Sequence, residues 1–476
     1  MSRAVPGAFP DGPPPEPRQV LEDLFSGVGL SPSLATPLTL TGSDPVLPSS
    51  FAVGTVAQAT IAAVAAAAAD LWTLRGGTTQ EIAVDMLHAA LEYRSERLYH
   101  LDGQPSAKLW DAIAGTYRCG DGRWVRIHTN FSHHRDGILD LLDCSYDREA
   151  VQAALDSWRA DAFEDAVAAR GLVATMMRSP EEWLATHQGQ ALADQPLVEL
   201  QRIGDAPPLP LSDAARPLGG IRVLDLTRII AGPVCGKALA AHGAEVMRLA
   251  SPGLPFIEPL VIDTGRGKLS THADLDTQAG RSALSSLLEE ADVFVQGYRP
   301  GGLAARGFSP EQVAAARPGI VYVSLSAYGS AGPWAGRRGF DSLVQTASGI
   351  NHSEAEAAGI DSPKELPCQA LDHASGYLMA LGAIAGLKRR AEVGGSWQVR
   401  VSLARTGRWL QSLGRIAGGL DCPEPDRATV DALMEGSDSA FGRLSALSHA
   451  AQLSTTPARW ERPSVPLGSH PPCWPT

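Results

Sequence analysis

Cysteine is scarce in this chain of 476 residues: there are six, at 119, 144, 235, 368, 422 and 473, with no C-x-x-C pair and no repeating interval. That spacing excludes a disulfide framework and fits reduced thiols in a cytoplasmic protein. Cations are outnumbered, 40 Lys and Arg against 52 Asp and Glu, for a formal charge of -12. Neither a nucleic-acid nor an anionic-membrane surface is expected, and small molecules are the expected partners. Long apolar runs are missing too. The most apolar, 56–70, is mostly alanine broken by Gln58 and Thr60, too short and weak to span a bilayer. At the start, MSRAVPGAFPDGPPPEPRQ holds prolines and acids where a secretory signal needs an apolar run, so residues 1–35 read as a disordered, proline-rich leader. His128 and the pair His133-His134 have no companion Cys or acid at ligand spacing, so a loop or surface role is expected for them, and no metal.

What is present is alternation. After a block over 36–205 and a linker over 206–218, marked by DAPPLPLSDAARP at 205–217, IRVLDL is a β-branched run, AGPVCGKALAAHG a helix ended by glycine, and AEVMRL another strand. A helix at about 279–290 leads to DVFVQG, and one at 310–316 leads to IVYVSLS. Short strands joined by helices predict an α/β fold with a doubly wound parallel sheet over 219–415. Its ligands belong beyond the carboxyl ends of the strands, in loops starting at Thr227, Ala250, Gln296 and Ser326. Within the first block, Asp121-Gly122 marks a hairpin before the alternating Trp124 to Ile127, and helical stretches follow, which predicts a smaller α+β domain. Residues 416–476 form a C-terminal extension of unassigned fold. Cys235, near the start of a predicted helix, reads as a buried filler.

Asp372 stands out. It is a lone carboxylate at the mouth of CQALDHASGYLMALGAIAGL, where Leu378, Leu381, Ile384 and Ala385 recur on one side at helical spacing and small residues leave room for a close neighbour. An N-cap is the plain structural reading. The chain also resembles itself: a shift of 317 lays the alanine-rich helix near Thr55 over this one, and AVDM over RVSL, with Thr55 opposite Asp372. Either residue can cap a helix. Only one offers an ionised carboxylate.

Four segments, VLDLTRIIAGPVCGKALAAHGAEVMRL, ADVFVQGYRPGGLAARGF, IVYVSLSAYGSAGPWAGRRGFDSLVQTASG and ALDHASGYLMALGAIAGL, together resemble the class III (CaiB/BaiF-like) coenzyme A transferases over residues 219–403. The resemblance implies a Rossmann-like large domain and a small domain, here in rearranged order: the N-terminal block looks like a copy lacking its Rossmann half, the C-terminal block like a copy lacking its small domain. It implies an acyl-CoA:carboxylate CoA-transferase with Asp372 as nucleophile, passing through a mixed anhydride and an aspartyl-CoA thioester. The carboxylate is expected to have an ordinary pKa near 4, helped by the amides of residues 374–376.

It also implies CoA as a substrate rather than a resident cofactor, a small carboxylic acid as second substrate, and a homodimer as the partner state to test. The family's CoA positions fall on Ile230 and Ala231, on Gly265, Arg266, Gly267 and Lys268, on Gly297, Tyr298 and Arg299, and on Ser326, Ala327, Tyr328 and Gly329. Arg266, Lys268 and Arg299 suit phosphate oxygens, and Tyr298 or Tyr328 suits the adenine. Departures are Ala250 where an acid is common, Ala305 where an arginine is common, and the absence of a glycine-rich loop before Tyr117. Two alternatives stay open. One is an α-methylacyl-CoA racemase, whose Gly-His-Asp stretch is replaced here by Gly339-Phe340-Asp341. The other is a catalytically idle CoA-binding protein.

Overall fold

A computed structural model describes residues 12–475. Helix α1 (Pro17–Gly27) starts on proline and buries Val20, Leu21, Leu24 and Phe25 against α2 (Val53–Leu74). The expectation of a disordered leader is thereby corrected from Pro17 onward, because those four apolar residues form one helical stripe; residues 1–11 lie outside the described ones. α2 is long and apolar enough by composition to cross a membrane, but 89% of its most apolar window is buried inside the protein, so it is a core helix. Strands β1 (Leu38–Thr41) and β2 (Ile82–Asp85) precede and follow it and pair in parallel, Leu38 opposite Ile82. Further on, strands Gly115–Arg118, Trp124–Ile127 and Ala174–Met176 form an antiparallel sheet, turned at Gly122 (φ +82°). Helices Ser132–Leu142, Arg148–Leu155 and Ala160–Ala169 accompany it around a core that includes Ile113, Val125, Val151 and Phe163.

Seven strands make the main sheet: β3 (Glu199–Gly204), β4 (Arg222–Leu226), β5 (Glu245–Ala250), β6 (Lys268–His272), β7 (Val293–Gln296), β8 (Val321–Ser326) and β9 (Ser396–Ser402). Their order is β6-β5-β4-β7-β8-β9-β3, parallel throughout except for β3 on the edge. Alternation along each strand divides two cores. Val223, Val293 and Val295 face α3 (Ala231–Ala241) and the long α7 (Ala370–Val393), whereas Leu224 and Phe294 face α4 (Gln278–Leu288) and α5 (Pro310–Ala316). β6 has no counterpart in the sequence reading, because it begins on a lysine. Lys268 is tolerated inside because its ammonium donates to Asp225 Oδ2 and to the Pro233 carbonyl, each at 2.7 Å.

α7 is buried on every side from Ala370 to Leu387, in keeping with the buried helix that its small and apolar residues predict. Its glycines explain this: a Cβ at Gly376 would stand 2.5 Å from the Ala231 carbonyl oxygen, and one at Gly382 2.5 Å from Val399. These glycines therefore admit α3 and the sheet as close neighbours.

The C-terminal extension forms a hairpin, Met434–Ser439 with Gly442–Leu447, then β10 (Ala451–Leu453) antiparallel to β2. From there it runs across the main sheet, where Trp460 donates to Lys237 O at 2.9 Å and Trp474 to Leu287 O at 3.0 Å. The small sheet β1-β2-β10 repeats β8-β9-β3. Leu38 and Leu453 oppose Ile82 as Val323 and Leu200 oppose Val399, and 82 and 399 are 317 apart.

Candidate active site at the start of the long buried helix

The strand order reverses between β4 and β7, so their connections leave in opposite directions and a crevice opens at their carboxyl ends. The β4–α3 turn there carries Ile229 at φ +74°, a β-branched residue in the left-handed region. Such a conformation costs on the order of 1–3 kcal/mol and gathers at functional sites. Ile230 and Ala231 follow, both buried, and the Ala231 carbonyl lies against Gly376 of α7. Asp372 stands one helical turn before Gly376.

Asp372 is not the cap. Gln369 is the N-cap residue of α7, and the freed amides of Leu371 and Asp372 donate to Oδ2 of Asp341 at 2.8 and 2.9 Å. Asp341 opens helix α6 (Asp341–Ala347). Its other oxygen receives the Gln345 amide and, in the orientation that satisfies both partners, the Gln369 amide at 2.9 Å, while Gln369 accepts from Arg97 at 3.1 Å. With capping taken over, the carboxyl of Asp372 makes no hydrogen bond among the described residues. Asp372 keeps 7% of its surface, and neither carboxyl oxygen is both sealed and unpartnered, so the group faces a narrow opening. Residues 374–376 lie beyond the first turn, so their amides bond back along the helix. The expected help from them is corrected.

Electrostatics set this acid apart. Burial first, then Asp341 and Glu96, push Asp372 well above the ordinary carboxylate range, correcting the expected value near 4. Burial also lifts Asp341, to about 6, against the pull of the Asp372 and Leu371 amides and Gln345. Two acids this close raise one another's affinity for a proton, so the pair titrates as a unit. Around them the N-terminal block contributes side chains that sequence reasoning missed. Glu96 meets His373 Nε2 at 3.1 Å, Tyr93 stacks on His373 with ring centres 5.2 Å apart, and Tyr377 donates to Glu92. The tool that would have found them is pairing across the duplication, since Glu92 and Glu96 lie 277 or more residues from their partners in α7.

The CoA positions divide. Tyr298, Arg299, Ser326 and Gly329 come together, with Gln296, on a cleft of about 220 Å3 at the carboxyl ends of β7, β8 and β9, and Gly297 and Ala327 belong to the same two loops. Tyr328 does not face it. Its ring is buried against Trp334, 5.0 Å edge-on, so it offers no face to a base. Gly265, Arg266, Gly267 and Lys268 are not brought there either, because they lead into β6, whose first residue is Lys268, and lie at the amino end of that strand under the C-terminal tail. Arg266 donates to Leu447 O, pairs with Glu435 and lies 3.9 Å over the Trp460 ring, and Lys268 is spent on Asp225. His128 and His134 are buried rather than on the surface; His128 stacks on Phe340 with ring centres 4.0 Å apart, and burial beside Arg126 drives it down to about 3. No His, Cys, Asp and Glu group fit to hold a metal occurs among the described residues. Cys235 is fully buried and its thiol is pushed up by burial, as a filler requires.

A mixed α/β protein with an uncapped, charge-crowded acid beside a sheet crevice is the class that fold and site define. The chain belongs to CoA-transferase family III, whose model matches residues 31–209 and 218–428. It is 32% identical over 376 residues to an acyl-CoA transferase of Gibberella moniliformis, covering 69% of this chain and 65% of that protein. To the succinyl-CoA:glutarate CoA-transferase of Mus musculus it is 34% identical over 195 residues, 38% of this chain and 44% of that protein. The first curated relatives are spanned over 54% to 65% of their own lengths. A crystal structure of a hypothetical protein from Mycobacterium tuberculosis aligns over 42% of this chain and 58% of that one, with 32% identity and a TM-score of 0.39.

Proposed function

We propose that this chain is a cytoplasmic acyl-CoA:carboxylate CoA-transferase that uses Asp372 as its nucleophile and its main sheet as a Rossmann-like platform for CoA. One observation carries the reading: the Asp372 carboxyl is buried among acids, without a hydrogen bond, in a helix start that Asp341 already caps. A structural role leaves that cost unexplained. Desolvation makes a carboxylate more basic and a stronger nucleophile once ionised. Asp372 attacks the thioester carbonyl and expels CoA thiolate, giving a mixed anhydride. The thiolate attacks the aspartyl carbonyl, which releases the donor acid and leaves an aspartyl-CoA thioester. The acceptor carboxylate then attacks that thioester, and the freed thiolate takes the acceptor's acyl carbon, restoring Asp372 with no net proton. The order β6-β5-β4-β7-β8-β9 supports the doubly wound reading of the sheet. The similarity to a succinyl-CoA:glutarate CoA-transferase and to a succinate–glutarate CoA-transferase supports carboxylic acids as substrates.

Incubation with an acyl-CoA followed by intact-mass spectrometry tests this. A gain equal to CoA less one water, mapped to the peptide containing Asp372, is the expected result, and CoA binding with no adduct would sink it in favour of an idle binder. A racemase reading is kept in view by His128, which stacks on Phe340 where that enzyme class has its histidine. Exchange of a substrate α-proton in D2O without acid exchange would favour it instead.

A further inference from the structure

A chain of hydrogen bonds runs round Asp372 and closes on itself. From the backbone N–H of Asp372 it passes to Oδ2 of Asp341 at 2.9 Å, and from Oδ1 of Asp341 to the Gln369 amide at 2.9 Å. Gln369 accepts from Arg97 Nη2 at 3.1 Å, Arg97 Nε donates to Glu96 Oε1 at 3.1 Å, and Glu96 Oε2 meets His373 Nε2 at 3.1 Å. His373 follows Asp372 in the chain, so the circuit returns to its start. Glu96 and His373 keep 1% and 2% of their side-chain surface, whereas Arg97, at 33%, reaches the outside. Arg97 Nη1 also donates to the Pro367 carbonyl at 3.3 Å.

The duplication separates what the fold requires of this circuit from what it does not. A distant aspartate closes both helix starts, but the shift of 317 lays Gln369, His373, Glu96 and Arg97 over Ala52, Val56, Leu413 and Gly414, none of which has a polar side chain. α2 starts and packs without such a circuit. Burying a carboxylate between a guanidinium and an imidazole is costly, and the chain does so only beside the acid that one copy has and the other lacks.

We infer that Glu96 and Arg97 are positioning residues for Asp372: through His373 and Gln369 they fix the first turn of α7 and set the charge around its carboxyl. The inference rests on the proposed function for the reaction, and it gives the N-terminal block a part in that reaction. Asp341 faces the carboxyl from α6 and Glu96 from the N-terminal block, and both add to burial in raising its pKa. The further titratable groups at this helix start are Cys368 and His373 on its own segment and Tyr93, Arg94 and Arg97 opposite, with Glu92 and Tyr377 one turn on. The other neighbours carry no charge there: α2 presents Thr60 to Tyr93, α3 presents Val234, and the helix Leu403–Ser412 presents Thr406 and Gly407.

Two variants of the full chain separate position from charge. Glu96→Gln removes the charge and keeps the shape, whereas Arg97→Lys keeps the charge with an ammonium that cannot span Glu96, Gln369 and Pro367 as the planar guanidinium does. Ionisation of Asp372 is followed by the infrared carbonyl band of its protonated form, identified by its loss in Asp372→Asn, and transfer is followed by kcat and KM. In Glu96→Gln the midpoint of that band is expected at lower pH than in the native chain, and the acid limb of kcat should move with it. In Arg97→Lys kcat is expected to fall roughly tenfold with KM within about twofold, as for a group that aims the nucleophile without binding substrate. A native midpoint in Glu96→Gln, or a native kcat in Arg97→Lys, overturns the inference, and the transferase reading stands as long as the native chain transfers CoA. A native chain that transfers none, while Glu96→Gln still moves the midpoint, upholds the circuit and overturns the transferase reading. If Glu96→Gln does not fold, Arg97→Lys, altered at the exposed member of the circuit, decides alone.

Discussion

Helices α2 and α7 are the same piece of structure used twice, and they differ where chemistry needs them to. Their N-cap residues, Ala52 and Gln369, take nearly the same dihedrals, φ -75° and ψ 58° against φ -78° and ψ 62°. In each, a distant aspartate closes the helix start. Asp44 receives the amides of Gly54 and Thr55 at 3.1 and 2.7 Å, and Asp341 those of Leu371 and Asp372. Both pairs of amides are 317 residues apart. The cap is thus a requirement of the fold, met in both copies by an aspartate, through two oxygens in Asp44 and one in Asp341, and the residue at the third helical position is free to vary. One copy places a threonine there and the other an acid that the surroundings do not stabilise. The duplication works as an internal control: what both helices share is structural, and what only α7 has is the candidate for chemistry.

The largest expected effect comes from exchanging that position. Asp372→Asn should lower CoA transfer by roughly a thousandfold or more and abolish the covalent adduct, whereas Thr55→Val should leave turnover within about twofold. A native rate in Asp372→Asn breaks the contrast. Asp372→Asn also has a stability signature. Because the folded protein raises the pKa of this acid, its burial is harmless while protonated and costs stability as pH rises through the folded value. The variant should therefore gain on the native protein in alkaline melts and lose that advantage below the ordinary carboxylate range.

Next in size is packing. Gly376 and Ala59 occupy equivalent positions 317 residues apart, and a Cβ at the glycine would stand 2.5 Å from the Ala231 carbonyl oxygen. Gly376→Ala should cost about 1–3 kcal/mol in urea unfolding by overpacking, while Ala59→Gly should cost about 0.5–1 kcal/mol through helix propensity. Equal costs would mean that α3 yields where the structure shows it close. Smallest is the cap itself. Asp341→Asn and Asp44→Asn should each lose about 1 kcal/mol of stability. Only the former removes a negative charge beside Asp372, so only it should move the pH profile of transfer toward lower pH. A shift in both, or in neither, would detach Asp341 from the site.

The sequence carried the parallel strands β4, β5, β7 and β8 and their helices because β-branched runs and glycine stops mark them plainly. It also singled out Asp372, since a lone acid among small residues is visible without a structure. Several things were invisible for physical reasons. β6 begins on Lys268, whose charge is neutralised only by Asp225, 43 residues away. The true cap of α7 is 31 residues upstream, so Asp372 looked like its own cap. Arg266 and Lys268 had the right chemistry in a segment that folds to the wrong end of the sheet. The α1 helix hid behind prolines that crowd its start but spare its interior.

β3 reaches the main sheet from the N-terminal block, and β10 reaches the small sheet from the C-terminal tail. Each half lends the other its outermost strand, a reciprocal loan that makes the two halves hostages of one another. Severing the polypeptide at the 206–218 link would preserve every bond within the sheets and still leave two fragments that must find each other, because either one alone would present a bare strand edge to the solvent.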